Sequence, residues 1–162
     1  IRYGNGRKLD KSLMAQLSNC QWIHQHQNLV LTGATGCGKT WLACAFGNAA
    51  CRQGLSVVYV RTPRLFEDLR IAHGDGSFGR TLQQLAKVDV LILDELGEAM
   101  RRGFVTREDV EALIAIKPST TELVLTGRGL LPLADLADLV TEMRPIKHYF
   151  DEGLLARQGI EY

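Results

Sequence analysis

Apolar positions along the chain fall into two kinds of stretch that alternate. Short unbroken runs rich in Val, Ile and Leu occur at Asn28–Thr32 (NLVLT), Ser56–Val60 (SVVYV), Asp89–Leu93 (DVLIL) and Glu122–Thr126 (ELVLT). Runs of this length and composition read as strands buried on both faces. Between them lie amphipathic stretches. Leu9–His26 reads as a helix capped by Asp10, with Leu13, Leu17 and Ile23 as its apolar stripe. Lys39–Arg52 reads as a second helix, closed by Gly54 in the usual C-terminal position. Pro63 opens a third, running to about His73, and Phe78–Ala86 forms a short one beyond the breaks at Gly74, Gly76 and Gly79. Thr106-x-x-Asp109 is a capping box for a helix that carries Val110, Leu113 and Ile114 on one face and stops at Pro118. Leu133–Asp138 reads as a short helix and Leu139–Met143 as a fifth strand, while Asp151–Tyr162 yields no definite element.

Strands alternating with helices predict a parallel sheet covered on both faces, a three-layer α/β/α arrangement. The 162 residues, 46% hydrophobic and 23% charged, suit one domain covering 1–162, with no internal repeat or low-complexity linker. That composition excludes disorder and disulfide miniproteins. A net charge of +1 gives no global basic footprint for nucleic acid. No run approaches the ~18–20 apolar residues of a membrane span, so no membrane partner is expected. Ile1–Asp10 is polar and basic, unlike a secretory leader. Cys20, Cys37, Cys44 and Cys51 form no CxxC pair, which predicts reduced thiols and a cytoplasmic location.

One turn changes the picture. Gly33-Ala34-Thr35-Gly36-Cys37-Gly38-Lys39-Thr40 matches GxxxxGK[ST] in full, after a predicted strand and before a predicted helix. Glycines let such a loop wrap an anion with its N–H groups, and the helix N-terminus adds its dipole. Lys39 is placed to reach the β- and γ-phosphates of ATP or ADP, Thr40 to hold Mg²⁺, and Trp41 follows at the mouth of the same loop. Val88–Glu95 is an apolar strand ending in two acids, the Walker B pattern. Asp94 then serves Mg²⁺ and Glu95 is the candidate base orienting a water. An acid pair ending the third strand predicts a P-loop fold of strand order 5-1-4-3-2. In that order the fourth strand ends beside the γ-phosphate, with Thr126 as a polar sensor and Arg128 as a phosphate contact. His24 and His26 read as solvated helix-end residues, Arg101-Arg102 as a solvated turn, and His148 as a surface residue.

Two resemblances divide the chain. LDKSLMAQLSNCQWI, NLVLTGATGCGKTWLACAFGNAACRQGLSVVYVRTPRLFEDL and LAKVDVLILD, within residues 1–94, resemble the IstB/DnaC-like ATPases, helpers of insertion-sequence transposases and of helicase loading. LDEL, RRGFVTREDVEALIAIKPSTTELVLTGRG and LADLVTEMRPIKHYFDEGLLARQGIEY, within 90–162, resemble the CobA/BtuR-type corrinoid adenosyltransferases. The first resemblance implies ATP binding by oligomers on DNA, the second transfer of an adenosyl group from ATP to cobalt. They meet within residues 91–96, and neither is expected to continue past that junction. An engineered chimera of two P-loop halves is the economical expectation. The loop GATGCGKT differs from the GNGKGK type of the adenosyltransferases, and their second strand is replaced, which counts against corrinoid binding. The sensor strand and trailing arginine region of the IstB type are replaced in turn, which counts against oligomeric, DNA-linked hydrolysis. The expectation is a monomer or weak oligomer that binds Mg-nucleotide with weak or no turnover.

Overall fold

A computed structural model describes residues 10–65, 68, 71 and 87–145. The sheet has five strands: β1 (Leu29–Gly33), β2 (Val57–Arg61), β3 (Val90–Asp94), β4 (Glu122–Gly127) and β5 (Leu139–Met143). Their spatial order is β2-β3-β4-β1-β5, all pairs parallel, which is the predicted 5-1-4-3-2 read from the other edge. Helices α1 (Lys11–Ser18), α2 (Gln21–His24) and α3 (Lys39–Arg52) lie on one face. Helices α4 (Leu96–Arg101) and α5 (Arg107–Ile116) and a 3-10 turn at Leu131–Leu136 lie on the other.

The period-2 alternation of the strands sorts their side chains into two cores. Leu29, Leu31, Val90, Ile92 and Val124 pack with Phe46 and Leu42 of α3 and with Met14 and Leu17 of α1. Val30, Leu91, Leu93, Leu123 and Leu125 pack with Leu96, Val110 and Leu133. The central strands β1, β3 and β4 are buried along both faces, which is why they read as unbroken apolar runs.

Helix boundaries follow local chemistry. Asp10 caps α1, accepting from the backbone N–H of Ser12 at 2.9 Å and of Leu13 at 3.1 Å. The Thr106/Asp109 capping box forms as predicted, with its two reciprocal bonds at 2.8 and 3.2 Å. The single helix expected over Leu9–His26 is two. Cys20 takes φ +61, a left-handed break, and the Trp22 indole N–H reaches back to the Leu17 carbonyl at 3.0 Å. Leu133–Asp138 is replaced by the 3-10 turn two residues earlier, where Pro132 occupies the first turn. Residues 62–65, 68 and 71 are helical, in line with the helix expected from Pro63. The expected helix Phe78–Ala86, the tail Asp151–Tyr162 and His148 lie outside the described residues. All four cysteines are free thiols.

Two places need glycine. Gly33, at φ +143, ends β1 so close to β5 that a Cβ would sit 2.2 Å from the Met143 carbonyl oxygen. Gly97 in α4 and Gly127 at the end of β4 touch backbone to backbone. A Cβ on Gly97 would lie 2.0 Å from the Arg128 carbonyl oxygen.

Candidate functional site

The strands β1, β3 and β4 end side by side, and their C-terminal residues carry the polar groups of the sequence motifs. Residues 33–40 form a loop turned by Gly36 (φ +81) and Gly38 (φ +87). Gly38 is the N-cap of α3 and has no side chain to bond the helix's first N–H groups, which are thereby left for an anion. The first turn of α3 contains no acidic residue. Lys39 folds over the loop and donates to the Ala34 carbonyl at 2.8 Å. Burial pushes its ammonium below the usual lysine range; Arg128 acts the same way, against the opposing pull of Cys37, Asp94 and Glu95.

Asp94, 1% exposed, is the hub of the site. Its Oδ1 accepts from the hydroxyls of Thr40 (2.9 Å) and Thr126, and its Oδ2 from the hydroxyl of Tyr59 (2.6 Å). The structure therefore brings Thr40, Asp94 and Thr126 together, as the motifs require. A threonine hydroxyl has one proton and two lone pairs. Thr40 gives its proton to Asp94 and keeps its lone pairs, so the donor set fits a hard, oxygen-seeking cation between Thr40 and the loop.

Glu95 stands at φ +61, unusual for a residue with a Cβ, and its N–H donates to Thr126 Oγ1 at 3.3 Å. The turn aims its exposed side chain into a cleft of about 1300 Å³, bordered also by Thr35, Trp41, Arg128 and α4. Arg128 is exposed at that cleft, with its backbone against Gly97. Ala34, Gly36 and Cys37 lie in the loop itself, and Trp41 is half exposed on the first turn of α3.

Several residues differ from their sequence reading. Arg101 is not in a turn: it ends α4, and it and Arg102 bind Glu98 at 2.7 and 2.6 Å on the far wall of the cleft. Those two guanidiniums pull the Glu98 carboxyl down to about 2. His26 is not merely solvated: its Nδ1 bonds buried Glu122 at 2.9 Å. Tyr59 was not picked out by sequence at all. The signal was available, because the predicted order puts the second strand beside Walker B, and its one polar group after Ser56 is the Tyr59 hydroxyl. Burial, then the bond to Asp94, push the Tyr59 phenol up to about 12, against the opposing influence of Arg61.

A parallel sheet with a glycine loop, a capless helix N-terminus and a buried acid on the neighbouring strand end defines a P-loop nucleotide-binding domain. The family model for the IstB-like ATP binding protein matches residues 1–137, and the chain belongs to that family. An IS1162 insertion-sequence protein of Pseudomonas fluorescens is 58% identical over 123 residues, 76% of this chain and 53% of its own length. The corrinoid adenosyltransferase of Pseudomonas aeruginosa is 38% identical over 95 residues, 57% of this chain and 47% of its own. The structure resembles AMPPCP-bound DnaA from Aquifex aeolicus with a TM-score of 0.64 at 18% identity, over 88% of this chain and 48% of that one. The chain thus spans about half the length of these relatives. Both resemblances are present. The family match extends to residue 137. No helix among the described residues is long and apolar enough to cross a membrane.

Proposed function

We propose that the chain binds ATP or ADP with Mg²⁺ over the loop 33–40 and turns it over weakly or not at all. The observation that carries this is the Thr40–Asp94–Thr126 cluster: two strand ends and the loop helix meet on one buried carboxylate beside an uncapped helix N-terminus. In this reading the N–H groups of Gly36, Cys37, Gly38, Lys39 and Thr40 cradle the phosphates, and Gly33, Ala34 and Thr35 shape the loop. Lys39 leaves the Ala34 carbonyl for a phosphate oxygen. Bound magnesium supplies charge neutralisation, with Thr40 and Asp94 holding it. Arg128 adds a positive charge at the cleft, and Trp41 flanks the nucleotide. Glu95 is the residue able to orient a water, since its strained turn points it into the cleft. Lys39→Ala is expected to lower ATP affinity at least about a hundredfold by isothermal titration. Equal affinity in the two proteins refutes the reading.

We further propose that the chain combines strands of two P-loop lineages, as its likeness to both families supports. A corrinoid adenosyltransferase activity is the second reading, favoured by the 38% identity to that enzyme. An anaerobic assay with reduced cobalamin and ATP decides it, and an unchanged cobalt spectrum rejects it.

A further inference from the structure

Tyr59 lies on edge strand β2, outside every motif, yet its hydroxyl sits 2.6 Å from the acid at the centre of the site. Its neighbours Val58 and Val60 pack into the α4/α5 core, so strand alternation turns Tyr59 to the α3 face, where Thr40 also stands. We propose that Tyr59 is a positioning residue for the cation end of the nucleotide site, fixing the Asp94 carboxylate in the rotation that keeps Oδ1 on Thr40. This deepens the reading of Thr40 and Asp94 as magnesium holders and rests on it.

A carboxylate turns freely about its terminal bond unless both oxygens are held. Thr40 and Thr126 share Oδ1, and among the described residues Tyr59 alone holds Oδ2. Asp94 is 1% exposed, so without the phenol Oδ2 loses its one partner among the described residues. The carboxylate is then free to rotate, and that change weakens its grip on a cation. Exposed Arg61, two residues along β2 and opposite Asp94 in register, sets a positive charge near the phenol and polarises the O–H it offers to Asp94. Partners of this kind, one bond removed from a metal, change metal affinity by about 10–100-fold when lost.

The test titrates MgCl₂ into protein holding a fluorescent ATP analogue. Tyr59→Phe is expected to raise the magnesium midpoint about tenfold while leaving nucleotide affinity in EDTA within about twofold. Arg61→Leu is expected to raise it about two- to threefold, by the weaker effect of a second link. An unchanged midpoint in Tyr59→Phe, even with a lowered melting temperature, overturns the proposal. Wild-type protein whose nucleotide binding ignores magnesium overturns both this and the reading beneath it. Loss of nucleotide binding in Lys39→Ala with an unmoved Tyr59→Phe midpoint overturns only the role of Tyr59. Should Tyr59→Phe fail to fold, the ¹³Cζ resonance of Tyr59 in wild-type protein is followed instead. It is assigned by substituting Tyr3, Tyr149 and Tyr162. A shift on adding magnesium to the nucleotide-loaded protein supports the proposal, and a stationary resonance overturns it.

Discussion

Two carboxylates are fully buried among the described residues, one at each end of the sheet. Asp94, at the C-terminal end, is held by three neutral hydroxyls. Glu122, at the N-terminal end, meets the imidazole of His26 at 2.9 Å and the ammonium of Lys117 at 3.8 Å. Its Oε2 has no hydrogen bond. Lys117 donates instead to the Thr121 carbonyl at 2.6 Å. The difference is one of charge. Hydroxyls fix a carboxylate without neutralising it, so Asp94 keeps its attraction for an incoming cation. Glu122 already has cationic or protonatable neighbours, so it closes the bottom of the sheet and recruits nothing. Burial alone does not mark a binding acid; the kind of partner does.

The sharpest break in this comparison is Gly97→Ala. The top of the sheet closes by backbone contact between Gly97 and residues 127–128, and no side-chain motion relieves a Cβ there. A loss of about 3 kcal/mol is expected in urea unfolding. A loss under about 1 kcal/mol means α4 sits elsewhere. Next come the two acids themselves. In Asp94→Asn the amide oxygen still accepts from the threonines and the NH₂ donates to the Tyr59 oxygen, so the fold survives. Magnesium is expected to lose its effect on nucleotide affinity in titration calorimetry. Glu122→Gln is expected to do the reverse, lowering stability by about 2 kcal/mol with nucleotide affinity unchanged. If both variants change the same quantity, the contrast is void.

The smallest effect lies at the N-terminal end of β2 and β3. Asp89 accepts at 2.7 Å from both the hydroxyl and the N–H of Ser56, which hold its carboxyl below the usual aspartate range. A depressed folded pKa stabilises the fold above the unfolded value of about 3.9 and loses that contribution as pH falls through the folded one. Ser56→Ala is expected to lower stability slightly at pH 7 and to flatten the stability–pH curve below about pH 4, so that the two proteins converge in acid. A curve parallel to wild type through the acid range counts against it.

Much of this was legible beforehand. The α3 boundaries, the strand order and the Thr106 capping box follow from local patterns that tertiary contacts reinforce. What escaped depends on contacts across the sheet. Helix α4 was missed because Arg101-Arg102 reads as a solvated turn; only the approach of Gly127 shows why a glycine belongs in that helix. The split at Cys20 hinges on Trp22 reaching back to Leu17, which no periodicity encodes. Tyr59 gains meaning only when β2 is laid beside β3 in register, with Arg61 opposite Asp94.

The place of β1 has a consequence for how the chain is made. It lies between β4 and β5, with Leu29 opposite both Val124 and Leu139. Neither neighbour is close in sequence, so its pairings have high contact order and form late. On the ribosome the phosphate loop is synthesised before β4, but the strand that carries it has no sheet partner until Glu122 has emerged. A stalled nascent chain ending before β4 would therefore hold the whole GATGCGKT sequence and still resist folding around nucleotide.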